Sequence, residues 1–319
     1  MRIATAFRYE QSISNLQQRQ QDLSTAQMQL TSGKRVNAAS DDPTAAARAE
    51  RALASIARTD ADQRAVDASK NAMTIAESVL GDAVDLLQSA RETIVAAGNG
   101  AYSASDRQAL AAKLSEIRKQ LLSVANRPDG GGGYVFGGQG ISQAPFVESA
   151  AAPSTPPAPP ASTVTFQGQP GQIEAASTEK VNLTLDGERI WLHGRDATGK
   201  LVDVNVFDAL ATAIKNLNDP AVTGTAAQAT VTQGLGDLDQ ILGNMLSARA
   251  EVGEMLNRMD GIESRLADSK LAAQTEKSNA EDLDMVDAIS QFQNKQTGYE
   301  AALQSYASIQ KMSLFQYIS

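Results

Sequence analysis

The chain has 319 residues, with 28 Lys and Arg against 37 Asp and Glu, and its formal net charge is −9. It contains no cysteine and one histidine, which excludes a disulfide framework, a thiolate metal site and a histidine-rich zinc site. The acidic balance argues against general nucleic-acid binding, and no apolar run approaches the ~18 residues of a membrane span. We therefore expect no nucleic-acid partner, no membrane partner and no cofactor.

Glycine, proline and strand-like segments concentrate in one stretch of the chain. Residues 1–128 and 236–319 read as helical almost throughout, whereas residues 129–235 hold most of the Gly and Pro. The expected fold is mainly α, a long antiparallel coiled-coil or helical-bundle rod formed by the N- and C-terminal arms, with a small β-rich or α+β inserted domain. In chain order the predicted segments are an N-terminal assembly helix, the first rod half, the inserted outer domain, the second rod half and a C-terminal assembly helix, at 1–40, 41–140, 141–233, 234–278 and 279–319.

The N-terminal arm is predicted to form three helices. The first has a weak heptad seam and ends at Ser32-Gly33-Lys34, and Asp42-Pro43 begins the second with Asp as the cap. A third helix is predicted from Ser105, with Gln108 placed for a capping box. The second helix, about 55 residues or roughly 80 Å long, carries large residues seven apart, each followed three residues later by a small one. This large–small seam is Val66, Met73, Leu80, Leu87 and Ile94 with Ser69, Ala76, Ala83, Ala90 and Ala97.

The insert mixes strand and helix signals, and the C-terminal arm after it is helical again. Hairpin turns are predicted at Asp186-Gly187 and Ala197-Thr198-Gly199, and one helix at Phe207–Leu217. Five of the ten prolines fall within residues 153–160, which predicts an extended surface loop. The predicted strands are Val164–Phe166, Val181–Leu185, Arg189–Leu192 and Leu201–Val206.

No catalytic, cofactor or metal residues can be proposed. The glycine loop at 130–133 lacks the Gly-Lys-Ser/Thr of a phosphate loop and is interpreted as a flexible turn. The acids of Ser40–Asp42 and Glu281–Asp284 stand at predicted helix starts, which favours helix capping over metal binding. His193 has no Cys or second His beside it and is interpreted as a surface or packing residue. The chain is therefore predicted not to be an enzyme.

The two ends of the chain hold half of its aromatic residues. The chain has seven Phe, six Tyr and one Trp, and seven of these lie in residues 1–9 and 292–319. Glutamines interrupt the seams of the same helices, so large apolar groups sit on marginal helices. These ends either pack onto the main bundle or stay loose until they meet other copies. We favour the second outcome, because ends that fold on assembly delay polymerisation.

Several segments resemble the bacterial flagellin family. They fall in both arms, roughly two thirds of the chain, and the insert carries no part of the resemblance. The segments are Met1-Arg2-Ile3 with Thr5, Leu30–Val36, Ser40–Pro43, Gly133–Gly138, Arg249, Gly253, Asn257-Arg258, Ile262, Asn279–Asp284, Tyr299–Leu303 and Ser313-Leu314.

The resemblance implies a non-enzymatic axial protein of the extracellular flagellum. Such proteins leave the cell unfolded through the flagellar type III export channel, without a cleaved signal peptide, and the N-terminus has no apolar core of that kind. The terminal helices would form an inner tube with neighbouring subunits, and the insert would face solvent. Implied partners are other copies in a ring, a hook-associated protein on the hook side, flagellin on the filament side and a cytoplasmic export chaperone that holds residues 280–319.

The apolar seams of the terminal helices are the predicted assembly interface. Part of the same set, on the last helix, is the predicted chaperone-binding site: Ile289, Phe292, Tyr299, Leu303 and Tyr306. The full predicted interface is Ile3, Phe7, Ile13, Leu16, Leu23, Leu30, Ile289, Phe292, Tyr299, Leu303, Tyr306 and Leu314.

Three functions remain open from the sequence. The first is a ring of subunits that joins the hook to the filament. The second is flagellin itself, against which stand the Arg2-Ile3 start, the Tyr134–Gly138 loop and the ending Phe315–Ser319. The third is a soluble coiled-coil module whose insert recognises a ligand, which would be a stable monomer or small oligomer with ordered termini.

Overall fold

Long helices and a small α+β region make up the computed structural model, which describes residues 2–99, 102–140, 142–149, 164–175, 177–219 and 224–318. This confirms the predicted fold class. The predicted proline-rich loop at 153–160 lies outside the described residues. Among the described helices, none is long and apolar enough to cross a membrane. The elements are α1 (Arg2–Ser32), α2 (Pro43–Ala97), α3 (Ala104–Ala125), β1 (Phe146–Glu148), β2 (Val164–Phe166), α4 (Gly187–Trp191), β3 (Gly194–Arg195), β4 (Leu201–Val202), α5 (Val206–Asn218), α6 (Gly224–Glu281) and α7 (Met285–Ile318).

The chain divides into two units. The terminal unit comprises Met1–Asp60 and Ala267–Ser319, and the central unit comprises Ala61–Leu266. Helices α2 and α6 each contribute residues to both. The segment boundaries expected from the sequence follow composition rather than this division, and they stay predictions.

In the central unit, the predicted large–small seam of α2 is confirmed. All ten of its residues are buried, together with Leu238, Met245 and Val252 of α6. A fully buried Leu or Met side chain contributes about 1.5–3 kcal/mol, so this seam is a major source of the stability of the unit. Ion pairs flank it, and Arg249 Nη2 lies 2.6 Å from Glu77 Oε1.

These ion pairs also give the direction of the two helices. Lys70 of α2 pairs with Asp260 of α6 at 2.8 Å, whereas Arg91, further along α2, pairs with Asp239 at 2.8 Å. Later residues of α2 therefore meet earlier residues of α6, so the helices run antiparallel, as the sequence predicts. The carboxylates of Asp260 and Glu263 raise the pKa of Lys70 above its ordinary value.

A cluster of aromatic rings forms the core of the α+β region. Trp191 stacks on Phe207 with centroids 6.2 Å apart, and Phe136 meets Trp191 edge-on at 5.5 Å. Phe146 lies 5.3 Å from Phe166, its partner in the antiparallel β1–β2 pair. Such ring pairs add about 0.5–1.5 kcal/mol each to the area they bury. The loop that contains Phe136 therefore serves as a core-forming segment.

Two predictions for residues 186–192 are wrong. Arg189–Leu192 is not a strand, because Asp186 accepts a hydrogen bond from the backbone N–H of Arg189 and begins helix α4. Asp186-Gly187 is therefore a helix start and not a hairpin turn. The sequence misleads here because Asp-Gly is equally suited to a helix cap and to a turn.

Three further predictions also need correction. Val181–Leu185 forms only an isolated bridge through Asn182, because its remaining backbone groups bond to other loops, as Leu185 N–H does to Val135. The strand predicted at Leu201–Val206 is limited to Leu201–Val202, since Asn205 caps α5. The capping box of α3 is formed by Ser103 and Asp106, not by Ser105 and Gln108. The predicted strand at 164–166, the turn at 197–199 and the helix at 207–217 are confirmed.

The amide of Asn244 joins α6 to the end of α4. It is buried, and its nitrogen contacts the carbonyl oxygens of Arg189, Ile190 and His193 at 2.9, 3.1 and 2.8 Å. Carbonyls at the end of a helix lack partners within the helix, and Asn244 supplies one. His193 is half-buried and enters this contact through its backbone carbonyl.

Gly187 lies close against the backbone of Phe136. A Cβ at this position would lie 2.2 Å from the carbonyl oxygen of Phe136 and 3.1 Å from the ring of Phe146. We expect Gly187→Ala to lower the free energy of unfolding by about 1–3 kcal/mol, the usual cost of overpacking a core. Urea unfolding followed by the fluorescence of Trp191, the single tryptophan, measures this loss.

The matched control is Gly236→Ala in α6, where a Cβ would meet nothing within 4 Å. Alanine in an open helical position stabilises by roughly 0.5–1 kcal/mol relative to glycine. Equal unfolding free energies for the two variants would contradict the close contact at Gly187.

Candidate assembly surface

Helices α1 and α7 pack against each other in the terminal unit. At one end the N–H of Leu283, just before α7, donates to the carbonyl of Gly33, just after α1, at 3.0 Å. About halfway along both helices, Leu16 lies in the same groove as Ala302 and Tyr306. The end of α1 thus meets the start of α7, and the pair runs antiparallel.

This helix pair leaves its large apolar side chains only partly covered. Among the described side chains of α1 and α7, Ala26 and Ala288 are the two that are buried. Larger residues such as Leu23 and Phe292 are half-buried. Helices in proteins gain most of their stability by packing an apolar face against other elements. Since these large side chains are only partly covered, the pair has apolar area left to bury.

The predicted interface residues fall into three groups. Phe7, Ile289 and Leu303 are exposed, at 66%, 46% and 42% of their full area. Ile3 and Leu314 lie in α1 and α7, but their side chains are outside the described part of the structure. Contact of any of these residues with another copy, or with a chaperone, stays a prediction. Half-buried in the helix pair are Ile13, Leu16, Leu23, Leu30, Phe292, Tyr299 and Tyr306.

The turn between α6 and α7, residues 282–284, forms an elbow held by the residues that follow α1. Gly33 ends α1 with φ +70°. The backbone N–H of Arg35 donates to the carbonyl of Glu281 at 2.7 Å, and its guanidinium donates to the carbonyl of Ala280 at 2.8 Å. Both bonds satisfy carbonyls at the C-terminal end of α6, where the helix dipole also favours a cation.

Charged side chains reinforce this elbow. The carboxylate of Glu281, 11% exposed, pairs with Lys34 at 3.2 Å and Lys277 at 3.3 Å. The sequence places Glu281 at a helix start, which is wrong: it is the last residue of α6 and neutralises two lysines. Asp284 does cap α7, since it accepts from the N–H of Val286 at 3.0 Å.

Asp42 caps α2, as predicted from the sequence. Its carboxylate accepts from the backbone N–H of Thr44 at 3.1 Å and of Ala45 at 3.0 Å, and from Arg35 at 3.1 Å. The N–H of Ala45 first, and the guanidinium of Arg35 second, hold the pKa of Asp42 below its ordinary value. Capping by Asp42 is therefore retained near neutral pH and lost as the pH falls below that ordinary value.

The acidic motifs of the terminal unit and the glycine loop of the central unit both have structural roles. Within the described residues, no three His, Cys, Asp or Glu side chains are grouped as metal ligands would be. The glycine loop is a turn, in which Asp129 accepts from the N–H of Gly131 at 2.7 Å and of Gly133 at 3.0 Å. Gly130 and Gly132 have positive φ there, a conformation that glycine adopts without strain.

Comparison with known proteins matches both arms. The bacterial flagellin N-terminal helical region matches residues 3–140, and the C-terminal helical region matches residues 235–318. Flagellar hook-associated protein 3 of Salmonella typhimurium is 32% identical, over 99% of this chain and 99% of its own. Flagellin of Bacillus subtilis is 24% identical, over 82% of this chain and 81% of its own.

The fold also matches solved structures. The flagellar junction protein FlgL from Legionella pneumophila superposes with a TM-score of 0.57 at 18% identity, over 74% of this chain and 100% of its own. At that identity the likeness shows the fold alone. Sequence and fold agree, and the chain belongs to the bacterial flagellin family, among the relatives called flagellar hook-associated protein 3.

Proposed function

We propose that this chain is a structural subunit of the bacterial flagellum and joins the hook to the filament as a ring of copies. The observation that carries the proposal is the match to Salmonella flagellar hook-associated protein 3 along 99% of both chains. The match to Bacillus flagellin covers less of the chain at lower identity, which makes a filament subunit the weaker alternative. The role is structural and needs no catalysis.

The charge distribution supports assembly through the terminal helices. α1 carries three Arg and two acids, and α7 carries two Lys and two acids, so their net charges are +1 and 0. The whole chain has a net charge of −9, so the residues outside α1 and α7 have a net charge of −10. Like charges resist close approach of copies, so the nearly neutral helix pair is the part best suited to pack closely against its equivalents.

The proposed function includes three further partners: an export chaperone, a hook-associated protein and flagellin. Before assembly, the exposed side chains of Ile289 and Leu303 on α7 would be available to a chaperone that accepts an amphipathic helix in a groove. After export, the ring would contact a hook-associated protein on one side and flagellin on the other. We propose an extracellular location at this junction.

Immunogold labelling of intact flagella with antibody raised against residues 141–233 tests the proposed function. We expect a narrow band where the hook meets the filament, because a junction ring occupies one level of the axis. Label along the whole filament would show instead that the chain is a flagellin.

The elbow gives a further prediction. Lys34→Met leaves the poorly exposed carboxylate of Glu281 with Lys277 as its partner. We expect the free energy of local opening of residues 285–306 to fall by about 1–2 kcal/mol, because a largely buried charge loses part of its compensation. Hydrogen exchange with mass spectrometry measures this opening.

The matched control is Lys270→Met, which removes the more exposed pair with Asp60 in the same unit. Exposed pairs contribute roughly 0–1 kcal/mol, so exchange in residues 285–306 should stay close to that of the unaltered chain. If both variants exchange alike, the elbow does not hold α7.

A further inference from the structure

The α+β region of the central unit has few backbone partners of its own. Within the described residues its strands form two separate antiparallel pairs, β1–β2 and β3–β4, of three and two residues per strand. A two-stranded pair is at best marginally stable in water and needs a third strand or a packed helix. Part of the bonding that fixes this region therefore has to come from its neighbours, α3 and α6.

The side chain of Asn126, the residue that follows α3, takes the place of a third strand beside β1. Its amide nitrogen donates to the carbonyl oxygen of Phe146 at 2.8 Å, and its amide oxygen accepts from the N–H of the same residue at 2.9 Å. Paired residues of an antiparallel sheet exchange two such bonds in the same way. Phe146 is 1% exposed, so this amide fixes the backbone of a core residue.

Helix α6 holds the segment that carries Trp191, which is fully buried. The amide nitrogen of Asn244 contacts the carbonyl oxygens one residue before and two residues after Trp191, at 3.1 and 2.8 Å. Further along α6, the carboxylate of Glu251 forms an ion pair with Arg189. The backbone and the charge of this segment thus both find their partners on α6.

The central helices do not depend on the α+β region in the same way. An α-helix closes its backbone hydrogen bonds within itself, and α2 meets α6 directly through ion pairs such as Glu77–Arg249 and Arg91–Asp239. The apolar seam of α2 also repeats over five heptads. The dependence is therefore one-sided, because the helices supply partners to the α+β region and have each other for their own packing.

We propose that α3 and α6 are the template on which the aromatic core forms, with Asn126 and Asn244 as its anchor residues. The core closes only on helices that already pack with α2, and it opens while those helices stay packed. The surface of the α+β region then forms only on chains whose central helices are complete. This inference goes beyond the proposed function and applies equally to a junction subunit and to a filament subunit. The aromatic core is the set of rings Phe136, Phe146, Phe166, Trp191 and Phe207.

A substitution of nearly equal shape tests the anchor on α6. Asn244→Asp replaces an amide donor by a carboxylate that faces three carbonyl oxygens. We expect the emission of Trp191 to shift to longer wavelengths and amide exchange in residues 185–192 to rise about tenfold or more, because buried acceptors lose their donor. Exchange in residues 66–94 of α2 should keep its native rate. Fluorescence and hydrogen exchange with mass spectrometry of the full-length chain measure both effects.

Either of two results for Asn244→Asp would overturn the proposal. Native emission with native exchange in residues 185–192 would show that the aromatic core folds without this anchor. An equal rise of exchange in residues 185–192 and 66–94 would show that the core and the helices open as one block, with no order between them.

The matched control is Asn257→Asp, the same change at an exposed position of the same helix. It should leave Trp191 emission and both exchange rates native. An effect as large as that of Asn244→Asp would assign the loss to added charge on α6 and would contradict the anchor.

A second variant tests the anchor that follows α3. Asn126→Ala removes both bonds to β1, so we expect exchange in peptides that cover residues 146–148 to rise about tenfold or more. Residues 66–94 should again keep their native rate. Unchanged exchange in β1 would overturn the part of the proposal that concerns α3.

Urea unfolding of the unaltered chain tests the order of opening. We expect the emission of Trp191 to change at a lower urea concentration than the exchange protection of residues 66–94, because the template outlasts the core that forms on it. Coincident transitions, or loss of protection in residues 66–94 while Trp191 emission stays native, would overturn that order.

Discussion

A helix with an apolar stripe needs a partner surface, and that need organises both units of this chain. In the central unit, the stripe of α2 is covered by α3 and α6, and residues such as Leu80 and Leu87 are fully buried. In the terminal unit, α1 and α7 have mainly each other, and their large side chains stay half-buried or exposed. The same chain thus contains a completed helical core and an incomplete one. In the function proposed above, assembly would complete the second.

Several motifs that resemble the flagellin family hold distant parts of the chain together through backbone and side-chain contacts. The segments Leu30–Val36 and Asn279–Asp284, far apart in sequence, meet in the elbow through the bonds between Arg35, Ala280 and Glu281. The loop at 133–138 places Phe136 in the aromatic core. The Gly, Asp, Lys and Arg residues of these motifs thus have structural contacts that account for their presence.

The sequence predicts the long helices well because their signal repeats. Each of the five heptads in α2 places its large and its small residue on the same face of the helix, and all ten residues are buried. The short elements of the insert have no such repetition, so Asp186-Gly187 could be taken for a turn although it begins α4. The three carbonyl contacts of Asn244 gave no signal in the sequence, because its neighbours on α6 are ordinary seam residues.

At the candidate assembly surface, the sequence predicts the apolar stripe but not which side of it is covered. Heptad spacing places Ile289 and Leu303 in one seam with Phe292 and Tyr299. In the structure, α1 covers the side with the aromatic rings and leaves the other side open. Spacing alone specifies a stripe, but the rotation of the partner helix around it depends on tertiary packing. The distinction between contacts within the chain and contacts available to a neighbour therefore required the structure.

The central claim is that α1 and α7 complete their burial only between copies. Hydrogen exchange of the full-length chain, compared between the protein in solution and isolated flagella, tests it most directly. The account predicts that exchange in residues 285–306 slows by about 100-fold or more on assembly, since amides in fully packed helices open rarely. Residues 66–94 of the central unit should change little. Equal protection of residues 285–306 in both states would contradict the account.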